Sequence, residues 1–205
     1  MSYKTIRNRT EASFTEKKSE FIGYISPAGT EEEAIGFINE IRAMHRKATH
    51  NCYAYILRNN NTGRHSDDGE PGGTAGMPIY DVLSKNGITD VVCVVTRYFG
   101  GILLGTGGLV HAYSKGASMA LANAEIVNME VADSLKISCD YTMYGIVNSV
   151  LPEFESIIRD TEFTDSVCIY ADVKTELTES LTAKLIDRRN GKVKIEKLKS
   201  GYVEF

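Results

Sequence analysis

Along residues 31–47 apolar side chains recur at helical spacing, with Ala34, Phe37, Ile38, Ile41 and Met44 on one face. Thr30 and Glu33 form a capping box immediately before them, so a helix is predicted to run through Lys47. Upstream, residues 3–11 and 14–26 are rich in Thr, Phe, Ile and Tyr and end at Pro27 and Gly29, the pattern of a β-hairpin. Over 50–58, Cys52, Ala54 and Ile56 alternate with Tyr53, Tyr55 and Leu57. Bulk on both faces predicts an internal strand. The run 59–63 reads as a turn. Pro78 then suits the first turn of a short helix to Ser84, closed by Asn86-Gly87. The segment VVCVVT at 91–96 is the most apolar strand of the chain, so it is predicted to be central and to deliver Arg97 and Tyr98 to one edge of the sheet. From 109 to 123, Val110, Tyr113, Ala117, Ala120 and Leu121 describe a small-residue helix able to pack closely on that sheet.

A fresh pattern begins near Asn128, which divides the chain into expected domains 1–128 and 129–205. Strands over 130–140, 157–164, 167–174 and 192–205, with helices over 144–155 and 176–189, spell βαββαβ, the ferredoxin-like split βαβ order. Asp165-Ser166 is the tight turn between two of the strands, and Asn190-Gly191 stops the last helix. Pro152 falls inside the first helix of this unit and must kink or shorten it. The fold class is therefore α+β throughout.

Composition narrows the class. The chain has 205 residues, 42% hydrophobic and 24% charged, which excludes a disordered or fibrous protein. No apolar run approaches the roughly 20 residues of a membrane helix, and the N-terminus lacks the apolar block of a signal peptide, so a cytoplasmic protein without membrane partners is expected. Four cysteines, Cys52, Cys93, Cys139 and Cys168, fall in apolar or alternating stretches without C-x-x-C spacing, which predicts reduced, buried thiols. A nucleophilic Cys52 would need a histidine and an orienting acid, and strand alternation is read as turning His50 away from it.

A net charge of −4 hides a local reversal. Between 184 and 199 stand Lys184, Arg188, Arg189, Lys192, Lys194, Lys197 and Lys199, against only Asp187 and Glu196. This stretch, with Lys184, Arg188, Arg189, Lys192 and Lys194 as candidate nucleic-acid contacts, is one footprint for phosphate backbone. A helix C-terminus complemented by arginines, followed by a solubilised edge strand, is the preferred account, since the chain as a whole is acidic.

The chemistry concentrates in two glycine-rich segments, HSDDGEPGGTAGMPI at 65–79 and TRYFGGILLGTGGLVHAYS at 96–114. Glycine permits close backbone approach to a ligand, and here it flanks charge. The candidate ligand-binding residues are Asp67, Asp68, Glu70, Arg97, Tyr98, Gly100, Gly101, Gly105, Thr106, Gly107, Gly108 and His111. In the second segment the amides of 105–108 open a helix and attract anions. Thr106 stands where a nucleotide-phosphate loop needs lysine, and the glycines do not fit G-x-G-x-x-G. A glycine-lined crossing for tight helix–sheet contact is the competing reading. In the first segment, Asp67, Asp68 and Glu70 either bind a cation or act as a base, or accept amide hydrogen bonds from 72–76 and pair with Arg97. Neither calcium-loop nor zinc spacing is present, so no metal, no cofactor and no catalytic residue is assigned.

At these two segments the sequence resembles the YigZ/IMPACT family, whose N-terminal domain carries a D-D-G-E-P-x-G-T-A-G-x-P block and an R-Y-F-G-G-I-x-L-G-x-G-G-L block. Here they stand at 67–78 and 97–109, preceded by His50-Asn51-Cys52-Tyr53-Ala54-Tyr55, which is similar to a third block. Leu103 and His111 stand where relatives often carry a basic residue. The resemblance implies a first domain like domain 2 of ribosomal protein S5 and a second like the ferredoxin-like domain V of elongation factor G. It also implies a role around translation, since eukaryotic relatives influence initiation through a regulator of a kinase that acts on an initiation factor.

The expected function is a cytoplasmic, translation-associated binding or regulatory protein that engages RNA, the ribosome or a translation factor through the glycine edge. The alternative is an enzyme acting on a small phosphorylated or acyl substrate, with Asp67, Asp68 or Glu70 as base and the amides of 105–108 holding an anion. A pure protein-interaction module is the third reading.

Overall fold

The structure, a computed structural model, describes residues 2–59, 62–187 and 193–205. They form two compact units, Tyr3–Val127 and Asn128–Phe205, the second also holding Ser2. In the first unit lie β1 (Tyr3–Ile6), β2 (Thr10–Glu16), β3 (Ser19–Pro27), α1 (Glu31–Met44), β4 (His50–Leu57), β5 (Thr62–Ser66), α2 (Gly76–Lys85), β6 (Val91–Tyr98) and α3 (Gly105–Ala122). The second is built from β7 (Ile126–Cys139), α4 (Tyr141–Val150), β8 (Ile157–Phe163), β9 (Val167–Lys174), α5 (Thr175–Asp187) and β10 (Val193–Glu204).

An antiparallel sheet of order β2-β3-β6-β4-β5 forms the centre of the first unit. β6 is internal, as its unbroken apolar run requires. Its Val92 and Val94 pack with Phe37, Ile38 and Ile41 of α1, while Val91, Cys93 and Val95 pack with α2 and α3 on the opposite face. Thr30 caps α1 by accepting from the Glu33 amide, and the Glu33 carboxylate reaches back to the Gly29 amide, one residue before the cap.

Three elements differ from the sequence reading. The hairpin lies at β2–β3, where Glu16 faces Ser19 and the two-residue loop is Lys17-Lys18, both in the left-handed region (φ 45° and 67°). No glycine or asparagine advertises that turn, so pattern alone placed it upstream. Replacing Lys17-Lys18 by Asn-Gly should stabilise the unit by about 1 kcal/mol, because asparagine tolerates positive φ better than lysine and glycine at the second position has no Cβ to strain; thermal unfolding of the pair checks this. β5 occupies residues read as turn and loop. It is polar and pairs only with β4, an edge strand with no apolar alternation to reveal it. Finally, α3 starts at Gly105 instead of at residue 109. Gly105 enters the helix at φ +74°, open to glycine alone without strain, and the burial of Leu104, Leu109, Ala112 and Tyr113 outweighs the poor helix propensity of Gly-Thr-Gly-Gly.

In the second unit the antiparallel order β8-β9-β7-β10, with one helix after the first strand and one before the last, is the ferredoxin-like arrangement. Leu135, Ile137, Val167 and Ile169 of the sheet pack against Val147, Leu181 and Leu185 of α4 and α5. α4 ends at Val150 and tightens into a 3-10 turn, Leu151–Phe154, with Pro152 in its first turn, where no amide is needed. Buried Asp133 accepts from Thr175, Thr178 and Ser200 and pairs with Lys197 at 2.8 Å, tying α5 and β10 to β7. No helix among the described residues is long and apolar enough to cross a membrane.

Candidate functional site

β5 and α2 bracket the first glycine segment, and Asp67 organises it. Its carboxylate accepts from the amides of Gly73 (2.8 Å), Ala75 (3.0 Å) and Gly76 (2.8 Å), capping α2 where Ala75 offers no side chain to do so. Burial raises its pKa, but the three amides outweigh burial and leave the group below the ordinary carboxylate value. Asp68 accepts from Arg42 at 2.9 Å and from the Asn51 amide at 2.7 Å. Both aspartates are thus engaged within the loop and with its neighbours, as amide-accepting and ion-pairing groups.

Glu70 turns inward. One carboxylate oxygen, Oε1, accepts from Arg97 Nη1 at 2.6 Å and from the Tyr113 hydroxyl at 2.7 Å. The ion pair is deeply buried, with 4% of the Glu70 side chain and 6% of the Arg97 side chain exposed. Burial first, and the neighbouring Cys52 and Glu70 after it, push the Tyr113 hydroxyl far above its ordinary value, so it stays a donor. Arg97 is placed by β6, with Phe21 of β3 and His50 of β4 as its cross-strand partners. Its guanidinium lies 5.5 Å from the Phe21 ring and 5.4 Å from the Phe99 ring. Its Nε–H has no acceptor among the described residues.

His50 completes the cluster. Its Nδ1 contacts the Asp68 carbonyl at 2.8 Å; since a carbonyl only accepts, Nδ1 carries the hydrogen and Nε2 faces Glu70 Oε2 at 3.9 Å. His50 is not among the candidate residues read from the sequence. A signal was available, because His50, Cys52 and Ala54 are two apart and therefore share one face. The expectation that alternation turns His50 away from Cys52 is corrected for the same reason. Cys52 is nonetheless no nucleophile: it is fully buried, burial pushes its thiol well up, and its Sγ–H donates to the Asp67 carbonyl. Cys93 is likewise pushed up to about 12 by burial. Cys168, expected to be buried, is half-buried.

His50, Glu70 and Arg97 border a cleft of about 470 Å³. Its polar members are Thr49, His50, Glu70, Arg97 and Thr106, and its apolar ones Pro71, Phe99, Leu103, Leu104 and Leu109, with Gly69 and Gly105 between. Both glycine segments therefore contribute to one site. Glu70, Arg97, Gly105 and Thr106 line it; Asp67 and Asp68 support the loop behind Glu70. Tyr98 instead meets His45, its hydroxyl 2.9 Å from Nδ1. Gly100 is packed onto the backbone of Lys18 in the β2–β3 turn, where an added Cβ would come within 2.0 Å, a loop-to-turn contact and not the helix–sheet crossing. Gly101, Gly107 and Gly108 do not line the cleft. His111 is exposed and also lies outside it, while Leu109, Ala112 and Tyr113 are the residues that this part of α3 buries.

In the second unit, Lys184 pairs with Glu153 and Lys194 is exposed; Arg188, Arg189 and Lys192 lie outside the described residues, as does Asn190-Gly191. Among the described residues no group of three or more His, Cys, Asp or Glu is placed to hold a metal.

All of the cleft lies within residues 17–121, which match the Impact N-terminal domain, and residues 137–192 match a domain of unknown function, DUF1949. The chain belongs to the IMPACT family. Within that family it is 37% identical over 204 residues to IMPACT family member YvyE of Bacillus subtilis, covering 99% of this chain and 94% of that protein. IMPACT family member YigZ of Escherichia coli is 32% identical over 182 residues, 87% of this chain and 89% of that one. A crystal structure of a hypothetical protein superposes with a TM-score of 0.63 at 29% identity, covering 97% of this chain and 98% of that chain. The likeness to YvyE and to YigZ thus spans both units, and the two-domain α+β architecture is that of the YigZ-type members of the family.

Proposed function

We propose that this IMPACT family member is a non-enzymatic binding protein of the cytoplasmic translation apparatus, and that it takes a translation-factor or ribosomal-protein surface at the lip of the cleft. The observation that carries this reading is the loop between β6 and α3, where Phe99, Ile102 and Leu103 stand 46%, 41% and 82% exposed beside a partly apolar cleft. Clustered exposed apolar side chains of this kind mark association surfaces. The link to translation comes from the family: the likeness extends to Protein IMPACT homolog of Dictyostelium discoideum, 39% identical over 107 residues, half of this chain and 30% of that protein. A protein surface is favoured over RNA because the lip is apolar, and because Lys184 and Lys197 are engaged by Glu153 and Asp133. The catalytic-base alternative is weakened at Asp67 and Asp68, whose carboxylates hold the loop together.

Affinity capture from lysate, with and without nuclease, tests the reading. Ribosomal proteins or translation factors should be retained after nuclease by the wild-type chain and reduced tenfold or more by Leu103→Asp, about 1.4 kcal/mol or more of binding energy. Complete loss on nuclease, with a steep fall in binding as salt rises, would transfer the assignment to RNA.

A further inference from the structure

The lip of the cleft tells where a partner docks; the acceptors inside it tell what chemical group enters. Glu70 Oε1 takes both hydrogen bonds made to that carboxylate, from Arg97 and Tyr113, and Oε2 receives none. Among the described buried and half-buried residues, every enclosed side-chain nitrogen or oxygen is hydrogen-bonded except Arg97 Nε. Unpartnered Oε2 is therefore an open atom on a side chain only 4% exposed, and the space its residue borders is the cleft. His50 of β4 borders the same cleft and brings a second acceptor. Its Nδ1–H is given to the Asp68 carbonyl, so the neutral ring presents the Nε2 lone pair to Oε2 across 3.9 Å. Two acceptors cannot bond each other, so the donor that joins them comes from outside the chain.

Geometry and charge select that donor. A single nitrogen bearing two hydrogens, about 2.9 Å from each acceptor, spans the 3.9 Å gap with both hydrogen-bond angles above about 150°. A hydroxyl has one hydrogen for the two acceptors. An alkylammonium has enough, but Glu70 is already balanced by Arg97, and the first turn of α3, the positive end of its dipole, borders the same space, so a cation gains nothing there. A neutral NH2 group remains. On a carboxamide it comes with a carbonyl oxygen, for which the cleft holds the amides of Gly105 and Thr106, without acceptors inside the helix. The remaining wall is Pro71, Phe99, Leu103, Leu104 and Leu109, which suits a hydrocarbon body, and about 470 Å³ falls in the size range of small-ligand sites.

We infer that the cleft binds a primary carboxamide carried on an apolar group, its NH2 held between His50 Nε2 and Glu70 Oε2 and its apolar group against Phe99 and the leucines. This rests on the proposed partner site for its location and adds the chemistry recognised there. One group could come from two sources: a small free amide, or the side-chain amide of a glutamine or asparagine set among apolar residues of a polypeptide.

Titration of the full chain, followed by the imidazole nitrogen NMR signals of its histidines, tests the inference. The probes are isocaproamide, its N,N-dimethyl amide, isocaproate, isoamylamine, and the peptide acetyl-Leu-Gln-Leu N-methylamide with its glutamate counterpart. Isocaproamide and the glutamine peptide should shift the His50 Nε2 signal, and the dimethyl amide, the acid, the amine and the glutamate peptide should not. Tighter binding of the glutamine peptide assigns the polypeptide source, and tighter binding of isocaproamide the small amide. Removing Glu70 disturbs a buried pair, so the decisive variant is His50→Asn. Its side-chain amide keeps a donor for the Asp68 carbonyl and lacks the second acceptor, so the melting temperature should hold while isocaproamide binding weakens about fivefold or more. The wild-type series stands without any variant. Equal binding of isocaproamide and its dimethyl amide, tighter binding of the acid or the amine, no shift at His50 Nε2, or unchanged affinity in a folded His50→Asn would overturn the inference. The titration contains no partner and the capture no small amide, so either can fail alone.

Discussion

Glu70→Ala should lower the unfolding free energy of the first unit by about 3–5 kcal/mol, a large part of the 5–15 kcal/mol typical of a domain. The loss comes mainly from what remains. Arg97 stays buried between the Phe21 and Phe99 rings, with its counter-charge gone and the Tyr113 hydroxyl also deprived of its acceptor. Urea unfolding measures the change. Tyr113→Phe is the internal control, since it removes one hydrogen bond, about 1–1.5 kcal/mol, and leaves the ion pair in place. Glu70→Leu combined with Arg97→Met should recover most of the loss, because a buried pair replaced whole by apolar groups leaves nothing uncompensated. A Glu70→Ala penalty under 1 kcal/mol would show that Arg97 is not held in a dry environment, and the account of the buried pair would go with it.

Asp67→Ala comes next, with an expected loss of about 2–3 kcal/mol as three loop amides lose their acceptor and α2 its cap. This effect carries a pH signature. Asp67 titrates lower in the folded chain than in the unfolded one, so the unfolded state binds more protons through the interval between the two values. Its contribution is complete above the unfolded carboxylate pKa and fades as pH falls through the lowered folded value. The gap in urea midpoint between wild type and Asp67→Asn should accordingly narrow on acidification. A gap that stays constant into acid would mean that the carboxylate charge is not what the amides bind.

Much of this architecture is legible from periodicity and turn chemistry. The capping box of α1, the internal position of β6, the βαββαβ order and the interruption at Pro152 all follow from local rules, since each depends on neighbours within a few residues. What escaped were features whose cause is distant in sequence. β5 has no apolar alternation and exists because β4 offers an open edge. The early start of α3 is set by the burial of Leu104 and Leu109, against the local preference of four small residues. The Lys17-Lys18 turn is imposed by the register of the strands on either side.

The candidate site divides along the same line. Density of glycine beside charge was enough to mark both segments, and the alternative of loop carboxylates accepting amides or pairing with Arg97 describes what Asp67 and Glu70 do. Chain pattern, however, ranks Asp67, Asp68 and Glu70 alike. Folding separates them: two hold the loop, and the third is carried under α3 to meet Arg97, Tyr113 and His50, which lie 27, 43 and 20 residues away along the chain. Local spacing reports which residues can start a helix, end a strand or tolerate a bend, because those choices are made over a turn or two of backbone. Which donor is left unmet, and which carboxylate is dry, depends on groups brought together across a sheet, and no stretch of chain carries that information until the sheet has formed.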